Sequence, residues 1–173
     1  MRNFDRPEPR QTGDERQTLT DFLAWQRATF EWKLTDLPDS GWDATVGVSS
    51  ITLRGLVKHL WYVETYWAHE AFAGTEPPPP WDTVDWEADN DWDWHSATED
   101  DPAWLVEQWK AACASADEIY AAAELSEAPL VPRRSGPEPI SLRWILVHMV
   151  EEYARHNGHA DLIREAVDGQ TGE

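Results

Sequence analysis

The sequence predicts an all-α protein: an up-down four-helix bundle with a long tryptophan-rich loop between its second and third helices. Three observations predict it. Four stretches of the 173-residue chain repeat apolar residues in steps of three and four, the spacing that lines one face of a helix. Breaks rich in proline and glycine separate them. Neither strand–helix–strand alternation nor a series of alternating strands occurs, so helix-on-helix packing is the economical way to bury the apolar faces.

The first fifteen or so residues form a polar, proline-punctuated arm, and residues 16–173 are expected to make a single domain. In "TLTDFLAWQRATFEWKL", Leu19, Phe22, Leu23, Phe30 and Leu34 form one stripe, interrupted by Gln26. "DLPDSGW" then ends the first helix. The second is expected to open near Thr52 and to carry Leu56, His59, Leu60, Val63 and Trp67 on its inner face. Gly74 and four consecutive prolines stop it. The loop that follows sets Trp81, Trp86, Trp92 and Trp94 among many acids with no sustained periodicity. It reads as an ordered loop with aromatic anchors, with a lid over a site or a partner surface as alternatives. Pro102 suits the first turn of the third helix, whose bulky inward candidates are Trp104, Leu105, Trp109 and Ile119. "PLVPRRSGPEPI" is the next break. Ser141 is the expected cap of the fourth helix, which runs to about Val167 and stops before Gly169.

Composition narrows the function. Hydrophobic residues at 41% and charged residues at 27% suit a folded globule. The net charge of −19 repels phosphate backbones and anionic lipid heads, which argues against nucleic-acid and membrane partners. No apolar stretch approaches the roughly 20 residues that span a bilayer, and the polar N-terminus lacks the apolar core of a leader peptide. A cytoplasmic location is the expectation. One cysteine, Cys113, allows neither an internal disulfide nor a cysteine-based zinc site. It reads as a small buried thiol among alanines.

The chemistry concentrates in "HMVEEYARHNGHADLIREA". Residues four apart on a helix stand one turn above one another, so Glu152 and His156 point the same way. Their stripe continues through Ile145, Met149, His159 or Ala160, and Ile163, which should face the core. A buried carboxylate is costly unless it is paired or binds a cation. His59, between Leu56 and Leu60, is a further candidate ligand on the second helix. Imidazole and carboxylate donors suit zinc, iron, nickel or manganese. The bland readings stand beside this one: His59 as a hydrogen-bonded core residue, and Glu152 as the salt-bridge partner of Arg155 or Lys58. His148 is in phase with the pair one turn away, and His159 one turn beyond His156 is placed to orient a ligand or substrate. His69 and His95 read as surface residues.

Three segments carry a family resemblance: "GDERQTLTDFLAWQRATFEWKL", "LRGLVKHLWYVETYW" and "ISLRWILVHMVEEYARHNGHADLIREAVDGQTGE". They resemble the DinB-like (DinB/YfiT) superfamily of metal-binding four-helix bundles, and within it the branch of mycothiol-dependent maleylpyruvate isomerase and many relatives of unknown function. In that superfamily one ligand comes from a histidine of the second helix and two from an H-x-x-x-H pair in the fourth. His59 and His156 match the outer positions. The middle one is Glu152, a departure from the wider pattern that is similar to the isomerase's His, Glu, His set. The resemblance thus implies His59, Glu152 and His156 as ligands of a divalent metal, zinc first, with nickel, iron or manganese as options. Glu152 is preferred over Glu151, which sits about 100° round the helix.

The resemblance also implies a small-molecule substrate and a low-molecular-weight thiol such as mycothiol, used for S-transfer to, or isomerisation of, an electrophile. Arg143, Arg155 and Arg164 are candidates to hold an anionic substrate, with ordinary surface charge as the alternative. A metal-dependent hydrolase and a non-catalytic metal- or ligand-binding stress protein are the competing functions. The superfamily often dimerises, so a homodimer is a further option.

Overall fold

The computed structural model describes residues 6–129 and 139–172, so most of the "PLVPRRSGPEPI" break lies outside the described residues. Helices and turns account for all regular structure among the described residues, and no strand occurs there. The order is α1 (Glu15–Leu34), a 3₁₀ turn (Asp39–Gly41), α2 (Leu53–Thr65), a π-helical continuation (Tyr66–Ala73), a 3₁₀ turn (Trp81–Thr83), the short α3 (Trp92–His95), a 3₁₀ turn (Ser96–Glu99), α4 (Pro102–Ala121) and α5 (Leu142–Asp168). No described helix is long and apolar enough to cross a membrane.

The helix ends follow local chemistry. Asp14 caps α1, accepting from the Gln17 N–H while the Gln17 side chain accepts from the Asp14 N–H, a reciprocal arrangement that satisfies two end donors. Gly74 takes the left-handed conformation at φ 66° to end the π-helical segment. Asp101 accepts from the Trp104 N–H, and Pro102 fills the first turn of α4. The Ser141 hydroxyl accepts from the Trp144 N–H at 3.3 Å to start α5. Gly169, at φ 77°, follows the last residue of α5.

The chain divides into two compact units, one of residues 1–53 and 146–173 and the other of residues 54–145. In the first, Leu23, Phe30 and Leu34 of α1 and Leu146, Met149, Tyr153, Ala160 and Ile163 of α5 are buried. Phe30 meets Tyr153 edge-on at 6.4 Å between ring centres. The expected α1 stripe is corrected at two places. Phe22 is 45% exposed, and the buried positions between and beside the apolar ones are held by Arg27 and Lys33. Polar pairing within the unit makes that tolerable. Lys33 reaches Asp161 at 2.6 Å, and the Asn157 amide donates to the Gln26 carbonyl at 3.0 Å and to its side-chain oxygen at 2.7 Å.

In the second unit, Leu56, Val57, Leu60, Trp61 and Val63 of α2 are buried, with Leu105, Trp109, Ala116 and Tyr120 of α4. Trp104 is corrected from inward to 41% exposed; it lies edge-on to Trp61 at 5.5 Å. The acidic tryptophan-rich loop is ordered against α2 by its aromatics. Trp81 is buried and packs on Trp61 at 4.7 Å and Tyr62 at 5.1 Å, and Trp86 lies on Tyr62 at 4.4 Å. Trp92 meets Trp81 edge-on at 5.8 Å and carries the Lys58 ammonium 4.4 Å from its ring centre. These contacts anchor the loop on α2.

Candidate metal centre

α5 places Glu152 and His156 one turn apart on the same face, with His156 Nε2 3.1 Å from Glu152 Oε1. The side chains are 14% and 8% exposed, so both are drawn out of bulk water while an edge of each stays accessible. Arg155 pairs with Glu151 along the helix, and Lys58 pairs with Asp100 at 2.5 Å. His159 Nδ1 lies 3.3 Å from His156 Nδ1. Burial, and then the nearby His156 and Arg155, hold the His159 pKa below the ordinary imidazole value, which favours the neutral, lone-pair-bearing ring. His148 sits 3.5 Å from Glu151. One ligand atom each of His148, Glu151 and Glu152 falls within 4.8 Å of the others, a second group of metal-ligand type on the same helix.

His59 stands on α2 in the second unit. Its Nδ1 lies 2.7 Å from Asp93 Oδ2, and Trp94 stacks on its ring at 4.6 Å and 25°. A hydrogen bond to an ionised carboxylate would make Nδ1 the donor, which in a neutral imidazole leaves the lone pair on Nε2. Asp93 is 3% exposed. Sequence reasoning missed it, because the loop offers Asp82, Asp85, Glu87, Asp89, Asp91 and Asp93 with no periodicity to choose among them. The available signal was its position between two tryptophans.

The remaining candidates separate clearly. Arg164 is 2% exposed and is corrected from a substrate-holding candidate to a structural residue. It donates to the Lys33 carbonyl at 2.5 Å, the Thr35 carbonyl at 2.8 Å and Asp168 at 2.8 Å, closing the C-terminal end of α1, where carbonyls lack helical partners. Arg155 is exposed and tied to Glu151. Arg143 is half-buried in the first turn of α5. His95 is a surface residue 2.9 Å from Asp89, whose carboxylate raises the His95 pKa. His69 is half-buried, with Nε2 3.0 Å from the Ser115 hydroxyl, rather than a plain surface residue. Cys113 is half-buried, its Sγ 3.5 Å from the buried Glu64 carboxylate.

The all-helical regular structure of the described residues is that of a DinB-like bundle protein. The model of the mycothiol-S-transferase family matches residues 18–169, and the chain belongs to that family. No curated protein matches the chain.

Proposed function

We propose that this protein is a metal-dependent transferase that joins a low-molecular-weight thiol of the mycothiol type to a small electrophile. Membership of the mycothiol-S-transferase family supports the thiol and the reaction class. The observation that carries the metal is the Glu152–His156 pair, a carboxylate and an imidazole one turn apart, both mostly buried and 3.1 Å from one another. A carboxylate and an imidazole held together in that way are donors suited to a divalent cation. In this reading His59 of α2 completes a His, Glu, His set. Two imidazoles and one carboxylate fit zinc with an open position, and fit iron, nickel or manganese as well.

When bound, the metal supplies a Lewis-acid position that lowers the pKa of a thiol presented to it. The chain's own residues do the rest. Glu152 offsets part of the cation's charge, and His156 and His59 contribute neutral nitrogen donors. His159, its pKa held below the ordinary imidazole value by burial and by His156, would accept the proton that the thiol gives up. The sulfur then attacks the electrophilic carbon of the second substrate and forms the new carbon–sulfur bond, either expelling halide from a halide-bearing carbon or breaking the π bond of an activated alkene, whose neighbouring carbon takes up the released proton.

Elemental analysis of untagged protein, beside His59→Ala and His156→Ala, tests this. The expected result is bound metal in the wild type, lost in both variants, with coupling of mycothiol to an activated alkene or a halide-bearing carbon only in the metal-loaded wild type. Turnover with metal and no thiol would make it a hydrolase instead. Metal without any turnover would make it a binding protein.

A further inference from the structure

The tryptophan-rich loop has a task beyond packing. Its Asp93 carboxylate is buried, and among the described residues its hydrogen-bond partner is His59 Nδ1 at 2.7 Å. Burying a carboxylate against a neutral imidazole alone is unfavourable. The loop nevertheless invests heavily in holding it there. Trp92, one residue before, lies under Lys58, and Trp94, one residue after, stacks on His59. The loop thus grips two consecutive residues of α2, with Asp93 between the two grips. Further along, Trp81 and Trp86 fix the loop to Trp61 and Tyr62, the next turn of the same helix.

We infer that Asp93 is a positioning residue for His59. By accepting the Nδ1 proton it selects one tautomer, fixes the ring plane together with Trp94, and directs Nε2 and its lone pair toward a cation. Carboxylates that accept from the far nitrogen of a ligating histidine act in this way: they orient the ring and raise its basicity. This inference rests on the metal reading proposed above for its cation, but the control of the His59 ring stands on the Asp93 contact alone.

Two variants and two readouts test it. Asp93→Ala removes the acceptor and the charge, whereas Asp93→Asn keeps a side-chain oxygen acceptor and loses the charge. Long-range nitrogen–proton NMR of labelled protein reports the His59 tautomer, its signals identified by their loss in His59→Ala. Titration with zinc alone reports affinity. The wild type is expected to show Nδ1 protonated. Asp93→Ala should move His59 toward the Nε2-protonated form and weaken zinc binding about 10–100-fold. Asp93→Asn should keep the tautomer and lose less affinity. A merely structural role would lower the melting temperature of both variants and leave the tautomer unchanged. An unchanged His59 tautomer in Asp93→Ala, or a zinc affinity equal to that of the wild type, overturns the inference. Wild-type protein that holds no zinc overturns the metal reading, while the tautomer measured on the same samples still decides whether Asp93 sets His59.

Discussion

The Lys33 ammonium lies 2.6 Å from Asp161 Oδ1, with its own side chain 1% exposed and that of Asp161 37% exposed. The ammonium also sits 3.9 Å from the centre of the Trp32 ring, beside a cavity of about 150 Å³ walled in part by Trp25, Trp32 and Arg6. One partner of the pair has therefore left water and the other has not. Removing the carboxylate strands a buried cation, the expensive way to break such a pair. Asp161→Ala is expected to lower unfolding stability by about 1–3 kcal/mol, below the fully buried range because Asp161 still touches solvent. Lys33→Met in that background should restore much of the loss. Urea denaturation of the two single variants and the double variant reads both effects; additive losses would show that the two residues do not interact.

Arg164 makes a different kind of contact, since its acceptors are the backbone carbonyls of Lys33 and Thr35 as well as Asp168. Arg164→Ala leaves those end carbonyls without their charged donor. A loss of about 2–3 kcal/mol is expected from hydrogen bonds to a charged group. Hydrogen exchange should rise first in the last turn of α1. Protection lost evenly over the whole chain would argue against a local capping role.

The same cluster gives a pH dependence with a definite sign. The Arg164 guanidinium, and then the Gln170 N–H, hold the Asp168 pKa below the ordinary carboxylate value. A depressed folded pKa means stability that is fully present above the unfolded value of about 3.9 and is lost as pH falls through the folded one. Asp21, held low by Arg10, and Asp89, held low by His95, act in the same direction. Glu70 acts oppositely, because burial raises its pKa, so its ionisation opposes folding as pH climbs past about 4.3. Thermal melts from about pH 5 downward should show a falling melting temperature, less steep in Asp168→Asn. Identical slopes in variant and wild type would remove Asp168 from the account.

Trp81 is the buried anchor of the acidic loop, touching Trp61, Tyr62 and Trp92. Trp81→Ala is expected to cost about 3–5 kcal/mol if the space does not refill. It should also free the segment that carries Asp93. Proteolysis within residues 82–96 is the check: new cleavage there, before global unfolding, is expected.

What the sequence made legible was local. Helix ends at Pro102, Ser141 and Gly74 were readable because the capping or breaking residue lies within one turn of the backbone it serves. The alignment of Glu152 with His156 was readable because helical geometry alone sets it. The misreadings involve partners distant in the chain. Phe22 and Trp104 read as inward by apolarity, but periodicity does not say how wide the buried stripe is. Arg27 and Lys33 lie outside the apolar stripe, yet both are buried, and Lys33 pairs with Asp161 from α5. Arg164 read as surface charge or a candidate anion holder because nothing on α5 reveals that it lies at the end of α1. Asp93 was invisible for the same reason: its value comes from His59, thirty-four positions away.

Two adjacent glutamates offer the sharpest test of the metal assignment. Glu151 is exposed and pairs with Arg155, and Glu152 is mostly buried beside His156. His148, Glu151 and Glu152 also form their own cluster of metal-ligand type, so the two carboxylates compete for the role. Gln matches Glu in shape and removes the charge. Glu152→Gln is expected to abolish metal retention after dialysis while the helical circular dichroism is kept. Glu151→Gln should retain the metal and lose less than about 1 kcal/mol, the usual scale for an exposed ion pair. The contrast is decisive because both substitutions are made on the same turn of one helix, so helix propensity and net charge change alike. Metal lost from Glu151→Gln and kept by Glu152→Gln would transfer the site to His148 and Glu151. Metal kept by both would mean that neither carboxylate is a ligand.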